Sequence, residues 1–161
     1  GATVFFEKQY YEISGKNFLL AHGDGLGPGD KGYKRMKKLF TNPLAQWFFK
    51  WLHPDIAMKI AVYFSTKNKM ISGVEDMKFL GEDKEFLILY SKEKLKSEKI
   101  DYFVYGHRHL PMILDLKIDE NAANYVNLGD WISYFTYGVF DGEEFKILKH
   151  GDTVNAQSTQ E

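Results

Sequence analysis

The sequence predicts one α/β domain within its 161 residues, and three observations support this fold class. Two short apolar runs, residues 17–22 and 100–105, are typical of buried strands, and each leads into a loop that contains histidine. A helix predicted over residues 82–99 leads directly into the second run. After Pro111 the apolar residues recur every second position, which indicates antiparallel strands joined by short turns.

The composition excludes several classes of protein. Hydrophobic residues make up 44% of the chain and aromatic residues 16%, which is too apolar for a disordered chain. The chain has no cysteine, so a metal would have to be bound by His, Asp, Asn or Glu. No apolar run approaches the roughly 20 residues of a membrane span, and no signal peptide is recognisable. We therefore expect a cytoplasmic protein.

Charge is distributed unevenly along the chain. Residues 31–69 contain nine Lys or Arg and a single acid, whereas the whole chain has 21 basic and 22 acidic residues. The remaining residues are therefore strongly acidic. A local positive field of this kind indicates an anionic partner, which can be a phosphate, a nucleic acid or an anionic membrane surface.

The first part of the chain predicts a hairpin followed by helices. Strands are expected over residues 3–13 and 17–22, joined by a tight turn. A glycine-rich loop follows, and helices are predicted over residues 32–39, 43–52 and 54–64, with a loop over 65–81. The helices carry eight aromatic residues: Tyr33, Phe40, Trp47, Phe48, Phe49, Trp51, Tyr63 and Phe64. They can form a core helix under a basic face or meet a membrane surface.

The last part predicts four strands. Their ranges are residues 112–118, 124–128, 132–139 and 144–150. Residues 119–121 are expected to form a loop, and Asp141-Gly142 is a strong hairpin signal. Residues 151–161 have few apolar side chains, so we expect a flexible tail.

Histidines mark the ends of the two central strands. His107 and His109 follow Gly106 with one residue between them, and His22 ends the earlier strand. Strand ends followed by loops are where α/β folds bind ligands, so the three imidazoles can share one metal site. Alternatively, His107 and His109 are solvated loop residues, and His22 bonds a backbone carbonyl.

These motifs resemble those of the calcineurin-like metallophosphoesterases. The resemblance rests on His22-Gly23-Asp24 after one strand and Gly106-His107-Arg108-His109 after another, and it covers about residues 3–150. Residues 19–25, the basic aromatic helices and residues 126–132 are most similar to the UDP-2,3-diacylglucosamine pyrophosphohydrolases of lipid A biosynthesis.

The resemblance implies a metal-dependent hydrolase. His22 and His107 would bind one metal and His109 the other, with two Mn²⁺ in the complete enzyme. A metal-bridging hydroxide would attack the pyrophosphate and yield a lipid monophosphate and UMP. The implied partners are a lipid-linked nucleotide and an anionic membrane surface, and the location extends to the periphery of the inner membrane.

The family's aspartate-rich N-terminal motifs do not occur in this sequence. The resemblance therefore implies the C-terminal portion of a four-layer αββα sandwich over residues 1–150, with a helical basic and aromatic cap inserted at about 31–70. Three neutral imidazoles cannot balance two close cations, so we expect at most one metal in this chain and an inactive fragment. Exposed sheet edges would favour self-association.

Several further residues are candidates for roles around this site. The candidate substrate-binding residues are Lys31, Lys34, Lys67, Lys69 and Arg108. Residues 65–69 can contact the nucleotide phosphates or form a plain solvated loop. Asp24 can hold an imidazole tautomer, and Asp130 can do the same or cap a turn.

The main alternative function is a non-catalytic module that binds anionic lipid through the basic aromatic helices. A single-metal cupin site is a weaker alternative, because no glutamate closely follows His109. Nucleic acid is not expected as a partner, since the basic segment is apolar and has little arginine.

Overall fold

The computed structural model describes residues 1, 3–27, 31–72 and 78–152, with the backbone alone described at 31–33, 65 and 67–72. The strands are β1 Gln9–Ile13, β2 Lys16–Ala21, β3 Tyr102–Tyr105, β4 Met112–Ile118, β5 Asn121–Asn127, β6 Thr136–Phe140 and β7 Phe145–Lys149. The helices are α1 Lys31–Phe40, α2 Pro43–Lys50, α3 Pro54–Ser72 and α4 Phe86–Leu95. The mixed α/β class is therefore confirmed.

The centre of the fold is a five-stranded sheet with the order β1-β2-β3-β5-β4. The three central strands β2, β3 and β5 run parallel, and β1 and β4 pair antiparallel at the two edges. The register aligns Ala21, Tyr105 and Asn127, which are the last residues of the three parallel strands. The loops that follow them therefore leave the sheet side by side.

The sheet is covered on both faces. On one face, Leu87, Ile88 and Leu95 of α4 pack in a buried cluster with side chains of the central strands. On the other face, a second buried cluster packs against the separate β6–β7 hairpin. Among the described residues the layers are thus a helix, a sheet and a hairpin, and the predicted four-layer sandwich is not confirmed.

Local turn chemistry explains the predicted hairpins. Ser14 and Gly15 both have positive φ, as the turn that joins two antiparallel strands with the right twist requires. In the second hairpin, the Asp141 carboxylate accepts hydrogen bonds from the amides of Glu143 and Glu144. Both turns lie where the sequence predicted them.

The first predicted strand is too long. Only Gln9–Ile13 of residues 3–13 is a strand, because its partner β2 ends at Ala21 and the chain then turns away. Residues 3–6 have no antiparallel partner in this ladder, and Phe6 is 92% exposed. The second predicted strand is confirmed within one residue at each end.

Three other boundaries are also corrected. The predicted loop over residues 65–81 is wrong in its first part, since α3 continues to Ser72 without a proline or glycine to end it. The predicted helix over 82–99 is shorter, at Phe86–Leu95. The predicted strand over 132–139 begins only at Thr136, because the preceding residues form a turn and Phe135 has positive φ.

The helices α1, α2 and α3 follow one another between β2 and α4, and we call this segment the cap, although its predicted role as an inserted cap is not confirmed. The interpretation of its aromatic segment as a buried core helix is wrong for the described residues. The exposed large apolar side chains of the cap are Leu39, Phe40, Leu44, Trp47, Phe48, Phe49, Trp51, Leu52, Ile56, Met58, Val62, Tyr63 and Phe64. None of the described helices combines the length and the hydropathy that a membrane span requires.

The packing of α4 predicts a clear contrast between two leucines. Leu87 is fully buried against the sheet, so Leu87→Ala should lower the free energy of unfolding by about 2–5 kcal/mol. Leu44 of the cap is 68% exposed, and Leu44→Ala should change it by no more than about 0.5 kcal/mol. Urea denaturation followed by circular dichroism measures both. Equal effects would contradict the described packing.

Candidate metal centre

The three predicted histidines lie around one pocket. His22 follows β2 and His107 follows β3, and the Gly106 amide donates to the His22 carbonyl over 3.1 Å. The ring centroids of His22 and His107 are 5.3 Å apart. Together with His109 they line a pocket of about 570 Å³ that also contains Trp131 and Tyr137. Parallel strand pairing thus brings together residues that are 85 or more positions apart in the sequence.

Two of the imidazoles are hydrogen-bonded to carboxylates. His22 Nδ1 lies 2.8 Å from Asp24 Oδ1, and His109 Nδ1 lies 3.0 Å from Asp130 Oδ2. A histidine that binds a metal through one nitrogen commonly donates the other N–H to a carboxylate. In both pairs a carboxylate oxygen lies within hydrogen-bond distance of Nδ1, as it does in such histidines.

Asp130 has two roles at once. Its Oδ1 accepts hydrogen bonds from the amides of Ile132, Ser133 and Tyr134, while Oδ2 faces His109. The amide hydrogen bonds, from Ser133 and Tyr134 foremost, lower the pKa of Asp130 to about 2. The carboxylate is therefore ionised at neutral pH and can only accept hydrogen bonds.

The histidine loop has an unusual backbone that the neighbouring strand supports. His107 has a φ of 58°, in the left-handed region that residues other than glycine seldom adopt. The buried Asn127 amide donates to the Gly106 carbonyl over 2.9 Å, and its Oδ1 accepts from the Gly129 amide. Asn127 therefore joins the loop after β3 to the loop after β5. Such left-handed residues, when held by their surroundings, are frequent at functional sites.

Arg108 lies between the two loop histidines, but its side chain is directed into the protein. It is buried, and its guanidinium donates to Glu85 Oε1 over 2.9 Å and to the Lys78 carbonyl over 2.7 Å. Glu85 is the N-cap residue of α4 and also accepts from the Leu80 amide. These contacts point to a structural role, so we do not carry the substrate-binding prediction for Arg108 further.

The predicted lysines fall into two groups. Lys34 is exposed on α1 and donates to the Gly27 carbonyl over 2.7 Å. It lines a groove of about 600 Å³ that also contains His22, Asp24 and Lys37. The side chains of Lys31, Lys67 and Lys69 lie outside the described residues.

The donor set fits a divalent metal in type but is incomplete in number. Imidazole nitrogens backed by carboxylates suit Mn²⁺ or Zn²⁺. However, the described part of the chain contains no group of three or more His, Asp or Glu side chains placed to hold one ion. Among the described residues, the three histidines therefore do not by themselves make a complete metal site.

Sequence patterns indicated the histidines and the two aspartates but missed the supports of the loop. Asn127 lies within residues 126–132, which contribute to the resemblance. Nothing in the spacing of this segment suggested that the Asn127 side chain donates to the Gly106 carbonyl. Glu85 gave no signal, because its partner Arg108 is 23 positions away.

The buried ion pair generates a stability prediction. Glu85→Gln removes the charge opposite a buried guanidinium and should lower the free energy of unfolding by about 3–5 kcal/mol. Glu93→Gln disrupts an exposed pair with Lys96 and should cost less than about 1 kcal/mol. Both are measured by urea denaturation. A loss below 1 kcal/mol for Glu85→Gln would contradict the described pair.

Comparisons with known proteins identify relatives of this chain. No family model matches the chain. A UDP-2,3-diacylglucosamine hydrolase of Porphyromonas gingivalis is 36% identical over 88% of this chain and 58% of its own length. Proteins of the same name from Pseudomonas putida and Yersinia pestis are 28% and 25% identical over 81% of this chain and 53% of their length. The chain thus spans little more than half the length of these relatives. These similarities confirm the resemblance of this chain to the UDP-2,3-diacylglucosamine hydrolases, over most of its own length and little more than half of theirs.

Proposed function

We propose that this chain is part of a metal-dependent hydrolase that cleaves the pyrophosphate of UDP-2,3-diacylglucosamine, with a lipid monophosphate and UMP as products. The relatives bear the name of this activity, although the chain covers little more than half of their length. The observation that carries the proposal is the meeting of His22, His107 and His109 around one pocket at the carboxyl edge of the sheet.

In the complete enzyme, each of the three histidines would offer one imidazole nitrogen to a divalent metal, for which we propose Mn²⁺. A bound metal of this kind offsets negative charge on phosphoryl oxygens and activates water. For His22 and His109 the available nitrogen is Nε2, since Nδ1 of each bonds a carboxylate. Asn127 holds the loop that carries His107 and His109.

The groove beside His22 suits the charged part of this substrate. Lys34, Lys37 and Lys38 of α1 line it, within reach of the loop that carries His22 and Asp24. Lysine side chains at this place would stabilise a bound pyrophosphate by charge. We propose Lys34 as a substrate contact, and we retain Lys31, Lys67 and Lys69 as candidates.

A separate groove in the cap suits the acyl chains. It encloses about 700 Å³ between the three helices, and it is lined by Leu39, Phe40, Ala45, Gln46, Phe48, Phe49, Lys50, Leu52, Ile60 and Phe64. Nearly all of these side chains are apolar, so burying acyl chains against them is favourable. Such a substrate resides in a membrane, and we propose that the enzyme acts at the periphery of the inner membrane.

The central prediction concerns the histidines in the full-length protein. His22→Ala, His107→Ala and His109→Ala should each reduce Mn²⁺-dependent release of UMP by more than about 100-fold, because each removes a proposed ligand. His53→Ala is the matched control, since His53 is an exposed histidine of the cap. It should retain nearly full activity.

The assay follows UMP by chromatography, with folding checked by circular dichroism. If folded His107→Ala protein keeps near-normal activity, the site assignment is wrong.

A second function is supported by the exposed aromatic residues of the cap. Trp47, Phe48 and Trp51 are each more than half exposed on a helix layer rich in lysine. This combination suits a surface that docks on anionic lipid with or without catalysis.

Binding to vesicles tests this second function. The Trp47→Ala/Trp51→Ala variant should bind phosphatidylglycerol vesicles at least about tenfold more weakly, since both indoles would leave the interface. Trp131→Ala is the matched control, because Trp131 is 58% exposed but lies outside the cap. Sedimentation with vesicles measures binding, which should weaken with salt and be unaffected by His22→Ala. Equal binding to neutral vesicles would exclude this function.

A further inference from the structure

Two carboxylates flank the histidine pocket without being among its proposed ligands. Asp24 Oδ1 lies 2.8 Å from His22 Nδ1, and Asp130 Oδ2 lies 3.0 Å from His109 Nδ1. We propose that Asp24 and Asp130 are positioning residues, which fix the proton of each imidazole on Nδ1 and leave Nε2 as the acceptor toward the pocket. The inference that Nε2 binds a metal rests on the proposed function, whereas the inference that the proton lies on Nδ1 does not.

The burial of the two partners indicates which one orients the other. The side chain of Asp130 is 8% exposed, whereas that of His109 is 46% exposed. Three backbone amides donate hydrogen bonds to Oδ1 of Asp130. These hydrogen bonds fix the position of Oδ2 independently of His109. Among the described residues, the side chain of His109 has no comparable set of hydrogen bonds beyond the one with Asp130, so we infer that it takes its orientation from Asp130.

Asp24 differs because it also connects the pocket to the cap. Its side chain is 23% exposed, and its Oδ2 lies 3.3 Å from the Lys37 ammonium of α1. An ammonium group only donates hydrogen bonds, so an oxygen of residue 24 must face Lys37. The other side-chain atom of residue 24, which is Oδ1 in Asp24, faces His22. Asp24 thus positions His22 through a carboxylate that α1 shares.

Replacement of the aspartates by asparagine separates the two roles of each side chain. In Asp130→Asn the amide oxygen can still accept from the three backbone amides, which keeps the turn folded. The NH₂ group then replaces Oδ2 and can only donate to His109, which forces Nδ1 to become an acceptor. The proton of His109 should therefore move from Nδ1 to Nε2. By the same reasoning Asp24→Asn should move the proton of His22.

Asp141 supplies a matched control. Its Oδ1 also accepts from two backbone amides of a turn, but its Oδ2 faces Lys146 rather than a histidine. Asp141→Asn therefore removes a turn carboxylate of the same kind, and it should leave both histidine tautomers unchanged.

The experiment is ¹⁵N NMR of the histidine ring nitrogens in this metal-free chain at about pH 8, where an ordinary imidazole is neutral. We expect His22 and His109 of the wild type to carry the proton on Nδ1. Each asparagine variant should shift the proton to Nε2 in its own partner only, with the amide signals of Ser133 and Tyr134 confirming an intact turn.

Two results would overturn the proposal. One is a wild-type His22 or His109 with its proton on Nε2, which needs no variant to fold. The other is an unchanged His109 tautomer in folded Asp130→Asn. Because no substrate or metal is present, these results are independent of whether the hydrolase function is correct.

Discussion

Parallel pairing of β2, β3 and β5 is the constraint on which the candidate site depends. It aligns the last residues of the three strands, so that the loops carrying His22, His107 and Asp130 leave the same edge of the sheet. These three residues are far apart in the sequence, and the strand register brings their loops together in space. A shift of one residue in β3 would turn its buried side chains to the opposite face and separate the imidazoles.

Residues that are not proposed as metal ligands also hold the loops at this edge in place. Asn127 joins the loops after β3 and β5, and the buried Arg108–Glu85 pair attaches the histidine loop to the start of α4. The ion pair is costly to bury but more costly to break, which makes it a restraint rather than a large source of stability. The left-handed backbone of His107 is thus maintained by the fold around it.

The cap presents a different kind of surface. Four of its exposed aromatic residues, Phe40, Phe48, Phe49 and Phe64, line the apolar groove, while the α1 lysines line the groove beside His22. Lys37 contacts Asp24 and so lies between the two regions. The described residues thus present both a lysine-lined groove and an apolar groove, which would suit the pyrophosphate and the acyl chains of the proposed substrate.

Sequence patterns predicted the central strands, the helices, both hairpin turns and the histidines, because each depends on local periodicity or on turn chemistry. They failed where distant residues decide the outcome. The first strand ends early because its partner does, and no local pattern records the length of a partner. The contacts of Arg108 could not be predicted either, since its side chain pairs with Glu85, which is 23 positions away in the sequence. The cap was compatible with a core helix because its composition does not reveal what covers it.

The claim that the three histidines share one metal centre is tested most directly by NMR. The measurement is the paramagnetic broadening of the histidine signals in this chain during titration with Mn²⁺. We expect the ring signals of His22, His107 and His109 to broaden together at low metal concentration, while those of His53 in the cap stay sharp. If His53 broadens as early as the other three, or if the three broaden at different metal concentrations, these histidines do not share one metal centre.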